Sequence, residues 1–145
     1  MSDLDAYRSL YVAESRENLE SIVSNLLILE KGTDSHAIDE IFRSAHSLKG
    51  MSASMGFMHM EEICHALEDV FSQIRSGKLE VSQSLVDDLL AGADDIEMMI
   101  DDIDPRGGAH AFGGGQRLGI HQGDGLNGAV GEISILGEGQ ILAVQ

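Results

Sequence analysis

Cysteine occurs once in these 145 residues, at Cys64. No internal disulfide is available, and the apolar helical setting of Cys64 reads as a small core side chain, not a nucleophile. Long hydrophobic runs are also missing. The strongest, Leu26 to Leu29, falls far short of the roughly 20 residues that a membrane helix needs. Met1 is followed by Ser2, Asp3 and Asp5 with no basic and apolar leader, so the expectation is a cytoplasmic protein. Cations are scarce: nine lysines and arginines face 25 aspartates and glutamates, for a formal net charge of -16. A surface of that sign repels nucleic acid and anionic lipid and opposes self-association, which leaves a monomer with neither kind of partner as the expectation.

Metal and cofactor signatures are equally thin. The chain has no paired cysteines, and His36, His59, His110 and His121 lack metal-ligand spacing. Asp101, Asp102 and Asp104 crowd a helix end where the dipole disfavours anions, so they are expected to fray that end and not to bind calcium. Gly123 to Gly128 fits the dinucleotide fingerprint as a string, but no apolar strand precedes it and no helical pattern follows. Gly113 to Gly115 lacks the lysine and hydroxyl of a phosphate loop. No cofactor is expected in this chain.

What is present is helical periodicity, followed by an abrupt change. Residues 106–145 hold 12 of the 17 glycines and only five charged side chains, and Pro105 stands at the change, so a domain over 1–104 and a glycine-rich tail over 105–145 are expected. Within the domain, Leu4, Tyr7, Tyr11, Ile22, Leu26 and Leu29 share one face of a first helix that Ser2 and Asp5 cap and Lys31-Gly32 ends. A second helix runs from Ser35 to Met55 with Ile38, Ile41, Phe42, Ala45, Leu48, Ser52 and Met55 as its packing stripe. After a turn at Gly56-Phe57, a third runs from Met58 to Arg75 and buries Ile63, Leu67, Val70, Phe71 and Ile74. The fourth follows Ser82 as N-cap, carries Leu85, Val86, Leu89, Ala93, Ile96, Ile100 and Ile103, and stops before Pro105. Four amphipathic helices with short connections predict an all-α, antiparallel up-and-down four-helix bundle with an irregular tail. In that tail, Ile133, Ile135, the turn at Gly137 to Gly139 and Ile141 to Val144 carry a hairpin pattern, without the apolar residues for a core.

The chemistry concentrates at Ala45-His46-Ser47-Leu48-Lys49-Gly50. At 100° per residue, Lys49, Gly50 and Ala53 lie on the side of the helix that carries His46, so an imidazole stands beside one cation and two small residues. A glycine inside a helix costs about 1 kcal/mol relative to alanine, and close approach of a partner to His46 explains Gly50. Histidine suits a phosphoryl carrier because a reference pKa of about 6.5 leaves a neutral, nucleophilic nitrogen near pH 7. In the third helix His65 and Glu68 stand three residues apart, and a carboxylate there is placed to accept a hydrogen bond from Nδ1 of His46. Nε2 is then left to attack phosphorus. Lys49 is then placed to offset the charge of the phosphoryl group; taken singly, the same residues also read as a surface histidine, a solvated lysine, a helix-packing glycine and one more acid on an acidic bundle.

Ser44 to Phe57 closely resembles the phospho-acceptor motif of histidine phosphotransfer (HPt) domains, in which a leucine, a lysine and a glycine follow the histidine. His65 to Asp69 is similar to the matching third-helix motif, and Tyr11 to Glu30 resembles the first helix of the chemotaxis kinase CheA; the likeness covers residues 4–103. It implies that His46 is phosphorylated, that Glu68 orients it, and that Lys49 and His65 are its polar neighbours. It implies as partners an ATP- and Mg-binding kinase domain of the CheA type and response regulator receiver domains of the CheY and CheB kind. This chain shows none of the kinase's nucleotide-binding boxes, so it is not expected to bind ATP itself. Ile133 to Val144 resembles a strand pair near the end of CheA's regulatory domain, so the tail is expected to be either disordered or a remnant of that domain. The alternative function is a non-catalytic helical docking adaptor, or a truncated CheA fragment without phosphotransfer activity.

Overall fold

A computed structural model describes residues 2–106. The expected hairpin over 133–144 and the glycine-rich strings at 113–115 and 123–128 lie outside the described residues. Four helices follow one another: α1 (Asp3–Lys31), α2 (Ser35–Met55), α3 (Met58–Arg75) and α4 (Gln83–Ile103). Three of the starts are fixed by side-chain caps, with Ser2 accepting from the Asp5 N–H, Asp34 from Ala37 and Ser82 from Leu85. Gly56, at φ 79°, ends α2 in the left-handed conformation that a β-carbon would strain.

Cross-helix contacts set the directions. Tyr11 Oη lies 2.7 Å from Ser52 Oγ, and one helical stretch later Ser44 Oγ donates to Ser21 Oγ at 3.2 Å; as α1 advances, α2 retreats. Asp39 pairs with Arg75 and His46 with Glu68, so α2 and α3 are likewise antiparallel. Arg16 joins Asp101 and Asp104, setting the C-terminal end of α4 beside the middle of α1. The result is the expected antiparallel up-and-down bundle. Its core is the expected stripes: Ile38, Ile41, Ala45 and Leu48 from α2, Ile63, Leu67, Val70, Phe71 and Ile74 from α3, and Leu85, Val86, Leu89, Ala93, Ile96 and Ile100 from α4 are all buried. Cys64 is fully buried, and desolvation, then the charge of Glu68, push its thiol up to about 12, so it stays protonated and inert.

Two expectations are corrected. Leu4 and Tyr7 share a face with the buried Tyr11, Ile22, Leu26 and Leu29 yet stand 57% and 64% exposed. With 29 residues, α1 is about 43 Å long, whereas the 21 residues of α2 span about 31 Å. Met55 closes α2 near Tyr11, Asp104 closes α4 near Arg16, and the first two turns of α1 overhang both ends. Asp101 and Asp104 do not fray α4. Asp104 is the buried C-cap of the helix, its N–H bonded to the Ile100 carbonyl, and its carboxylate is gripped by Arg16 of α1 and by the Arg106 side chain and N–H. Cations from outside the helix overcome the unfavourable dipole.

The hydrogen bond from Arg106 is the main force holding the Asp104 carboxyl well below the usual carboxylate range, with burial opposing it. A group depressed in the folded state stabilises above its unfolded pKa of about 3.9 and loses that contribution as pH falls through the folded value. Asp104→Asn is therefore expected to lower stability at neutral pH by about 1–3 kcal/mol and to flatten the acid limb of the unfolding curve below about pH 4. Thermal denaturation from pH 2 to pH 7 measures both, and a variant that follows the wild-type curve would refute the assignment.

Candidate phosphotransfer site

His46 occupies the side of α2 that the core stripe leaves open. Ala45 and Leu48, on either side of it in sequence, are fully buried, while its own side chain is 64% exposed. Glu68 follows the buried Leu67 on α3 and sits at the border between core and solvent, its side chain 12% exposed. The antiparallel pairing of α2 and α3 brings the two side chains together, with His46 Nδ1 2.5 Å from Glu68 Oε2. The second carboxylate oxygen, Oε1, accepts a hydrogen bond from Lys49 Nζ. One carboxylate thus binds two side chains spaced three residues apart on α2.

Burial alone raises the pKa of Glu68, but the hydrogen bonds from Lys49 and then His46 outweigh it, and the net shift is downward. Glu68 is therefore an anion at neutral pH and accepts only. Nδ1 of a neutral His46 must then be the protonated nitrogen, and the Nε2 lone pair is left unprotonated. Such an imidazole is a nucleophile with a fixed tautomer and a carboxylate behind it to stabilise positive charge on the ring.

The remaining expected residues divide. Lys49 joins the site, but through Glu68. His65 stands three residues before Glu68 and turns to Asp69 on its own helix, Nε2 to Oδ1 3.7 Å, so it does not enter the hydrogen-bonded chain. Gly50 is exposed one turn from His46, and a β-carbon there meets nothing within 4 Å. Internal packing therefore does not demand the glycine.

Sequence reasoning missed the other flank of His46. A groove lined by Asp39, Phe42, Arg43, His46 and Arg75 runs between the first half of α2 and the end of α3. Arg75 lies over the Phe42 ring, 4.5 Å from its centroid, with Nε 3.2 Å from Asp39; Arg43 pairs with Glu40 at 3.1 Å. Arg43 was detectable, since it precedes His46 by three residues and so shares its face. Arg75 needs the α2–α3 register. Among the described residues, no group of three or more histidines, cysteines and acids is placed to hold a metal ion, and no helix is long and apolar enough to cross a membrane.

The model of the Hpt domain family matches residues 6–104, the four helices almost end to end. The chain is 42% identical over 95 residues to the chemotaxis protein CheA of Listeria monocytogenes, covering 65% of this chain and 15% of that protein. To CheA of Bacillus subtilis it is 40% identical over 102 residues, 70% of this chain and 15% of that one. The match thus spans about 15% of the length of these relatives. The solved CheA phosphotransferase domain from Thermotoga maritima superimposes with a TM-score of 0.67 at 38% identity, covering 71% of this chain and 98% of that domain. A solution structure of the histidine phosphotransfer domain of CheA gives 0.70 at 30% identity, covering 91% of this chain and 92% of that one. With an exposed, carboxylate-oriented histidine on the second of four helices and these matches across the whole bundle, the chain belongs to the Hpt family, among the phosphotransfer domains of CheA.

Proposed function

We propose that this chain is a phosphohistidine carrier in two-component chemotaxis signalling, in the cytoplasm. It takes a phosphoryl group on His46 from a CheA-type kinase domain that holds ATP and magnesium, and passes it to response regulator receivers of the CheY and CheB kind. The observation that carries the reading is the pairing of an exposed His46 with an ionised Glu68 at 2.5 Å. Nε2 attacks the terminal phosphorus, an N–P bond forms, the P–O bond to the leaving nucleoside diphosphate breaks, and no proton need leave the ring. The imidazole becomes an imidazolium that carries a dianionic phosphoryl group, and its positive charge sits directly against Glu68. Lys49 spends one of its three N–H donors on Glu68 and has two for phosphoryl oxygens. In the second transfer an oxygen nucleophile of the receiver takes the phosphorus and the ring returns to its starting tautomer. His65 adds polarity to the surface beside the site and is not required for the chemistry.

Incubation with ATP and an active CheA-type kinase domain is expected to put acid-labile, alkali-stable phosphate on the wild type and none on His46→Gln, with helicity unchanged because His46 is exposed. No label on the folded wild type, with the kinase proven on another acceptor, would leave the docking adaptor or inactive fragment as the reading.

Glu68→Gln keeps the shape and removes the charge. Loss of a charge-assisted hydrogen bond worth about 1.5–3 kcal/mol corresponds to phosphorylation slower by about 10- to 100-fold. Nitrogen NMR of the His46 ring should show the two neutral tautomers mixing. A wild-type rate would remove Glu68 from the mechanism.

Gly50→Ala separates stability from function. Its methyl group meets nothing in the free domain, so stability should rise by up to about 1 kcal/mol, while transfer to receivers slows because the methyl group projects beside His46. Transfer at the wild-type rate would show that partner approach does not account for the glycine.

A further inference from the structure

The groove that carries Arg43 and Arg75 has no part in orienting His46, yet His46 forms one of its walls. Its position is unusual for this chain. Nine lysines and arginines are spread through a molecule of net charge -16, and three of them, Arg43, Lys49 and Arg75, gather around one histidine. The Lys49 charge is offset by Glu68 within the hydrogen-bonded chain. Arg43 and Arg75 are held by pairs that consume few of their donors: Arg43 donates Nη1 to Glu40, and Arg75 Nε lies 3.2 Å from an Asp39 oxygen while its guanidinium rests on Phe42. A guanidinium has five N–H donors in a planar fork that matches phosphate oxygens two at a time. Asp39, the acid in the groove, is neutralised by Arg75.

Size narrows the ligand. The groove holds about 270 Å³, below the range of about 300–1,000 Å³ found for sites that enclose a whole drug-sized molecule. A short phosphate chain fits within that volume.

We infer that this groove receives the phosphate end of the phosphoryl donor, with Arg43 engaging the phosphoryl group being transferred and Arg75 the phosphate next to it. The inference rests on the carrier reading of His46. Arg43 stands one turn before the histidine on the same face, where its cation can meet equatorial oxygens of the phosphoryl group as the N–P bond forms. Arg75, at the far end of α3, lies further along the groove, where a second phosphate continues in line. Both arginines then serve as positioning residues for a polyphosphate donor, and Arg43 alone serves a donor with a single phosphate.

The test uses two donors on the same protein. Phosphoramidate, a small single-phosphate reagent, phosphorylates histidine without a kinase; ATP with the CheA-type kinase domain supplies a polyphosphate. Arg43→Gln is expected to slow labelling of His46 by about tenfold or more with both donors, and Arg43→Lys to recover part of the loss. Arg75→Gln is expected to slow labelling with ATP and kinase to a similar degree while leaving phosphoramidate labelling at the wild-type rate. Phosphoramidate labelling of the wild type and not of His46→Gln establishes the carrier chemistry separately, so failure of the groove and failure of the carrier reading are told apart. Wild-type rates for both arginine variants with both donors would overturn the inference. A loss confined to the kinase reaction for Arg43→Gln, expressed only in KM for the domain, would overturn it in favour of a contact surface for the kinase protein.

Discussion

Glu68 divides its two oxygens between His46 and Lys49, and the chemistry of the bundle follows from that division. A carboxylate at the edge of a core is costly to keep charged, because burial favours the neutral acid. Two hydrogen bonds from α2 reverse the balance and hold it ionised. Ionisation in turn dictates the tautomer of a neutral His46, and that tautomer leaves the Nε2 lone pair free. All three side chains must meet within hydrogen-bond reach, so α2 and α3 cannot slide along each other by even one residue without losing the site. The buried stripes of α2 and α3 fix that register, and the half-exposed Asp39–Arg75 pair further along the same seam agrees with it, as Tyr11–Ser52 and Ser21–Ser44 agree with the register of α1 against α2.

Much of this was legible in sequence, and the limits have a common cause. Helix boundaries are legible within a residue because caps are local: Ser2 and Ser82 bond to N–H groups three residues away, as Asp34, which the sequence reading did not single out, does at the start of α2. Burial on α3 and α4 was legible because their apolar stripes are continuous. Periodicity identifies a face, however, and not the length of the neighbours that cover it, which is why Leu4 and Tyr7 were expected inside and lie outside. Cross-helix partners were the least legible. Arg16 and Asp104 are 88 residues apart, and nothing in the dipole argument at the end of α4 points to a cation on α1. Spacing on α2 gives the direction of Lys49 but not the acid that meets it from α3, so the sequence points Lys49 at phosphate while the structure binds it to Glu68. The hydrogen bond of Glu68 to His46 was the exception, and it was reached by the residue types the chemistry needs together with the family resemblance.

Gly50 is the position where the proposed function and helix stability pull apart. In the interior of α2 it gives up helix propensity, and it returns no packing, since a β-carbon would have open space around it. On the carrier reading proposed above, its place beside His46 gives the missing side chain a use: phosphoryl transfer requires two proteins to bring a nitrogen and an oxygen to opposite sides of one phosphorus atom. Even a methyl group that touches nothing in the free domain then lies between approaching backbones.

The acid surplus of the chain poses a problem for a phosphoryl carrier, because a net charge of -16 repels every phosphate donor from a distance. Screening limits that repulsion to charges within about 8–10 Å at ordinary ionic strength. What decides the local potential at His46 is therefore the handful of charges nearest to it. Glu68 and Lys49 cancel, Asp39 and Arg75 cancel, and Arg43 is paired only with Glu40 on the exposed helix surface, where such a pair contributes little. The ion pairs around His46 thereby largely offset one another within an anionic surface. Such a patch admits a phosphate without binding it tightly, and a carrier that must give its phosphoryl group away needs that balance: cations enough to accept the group, and too few to retain it.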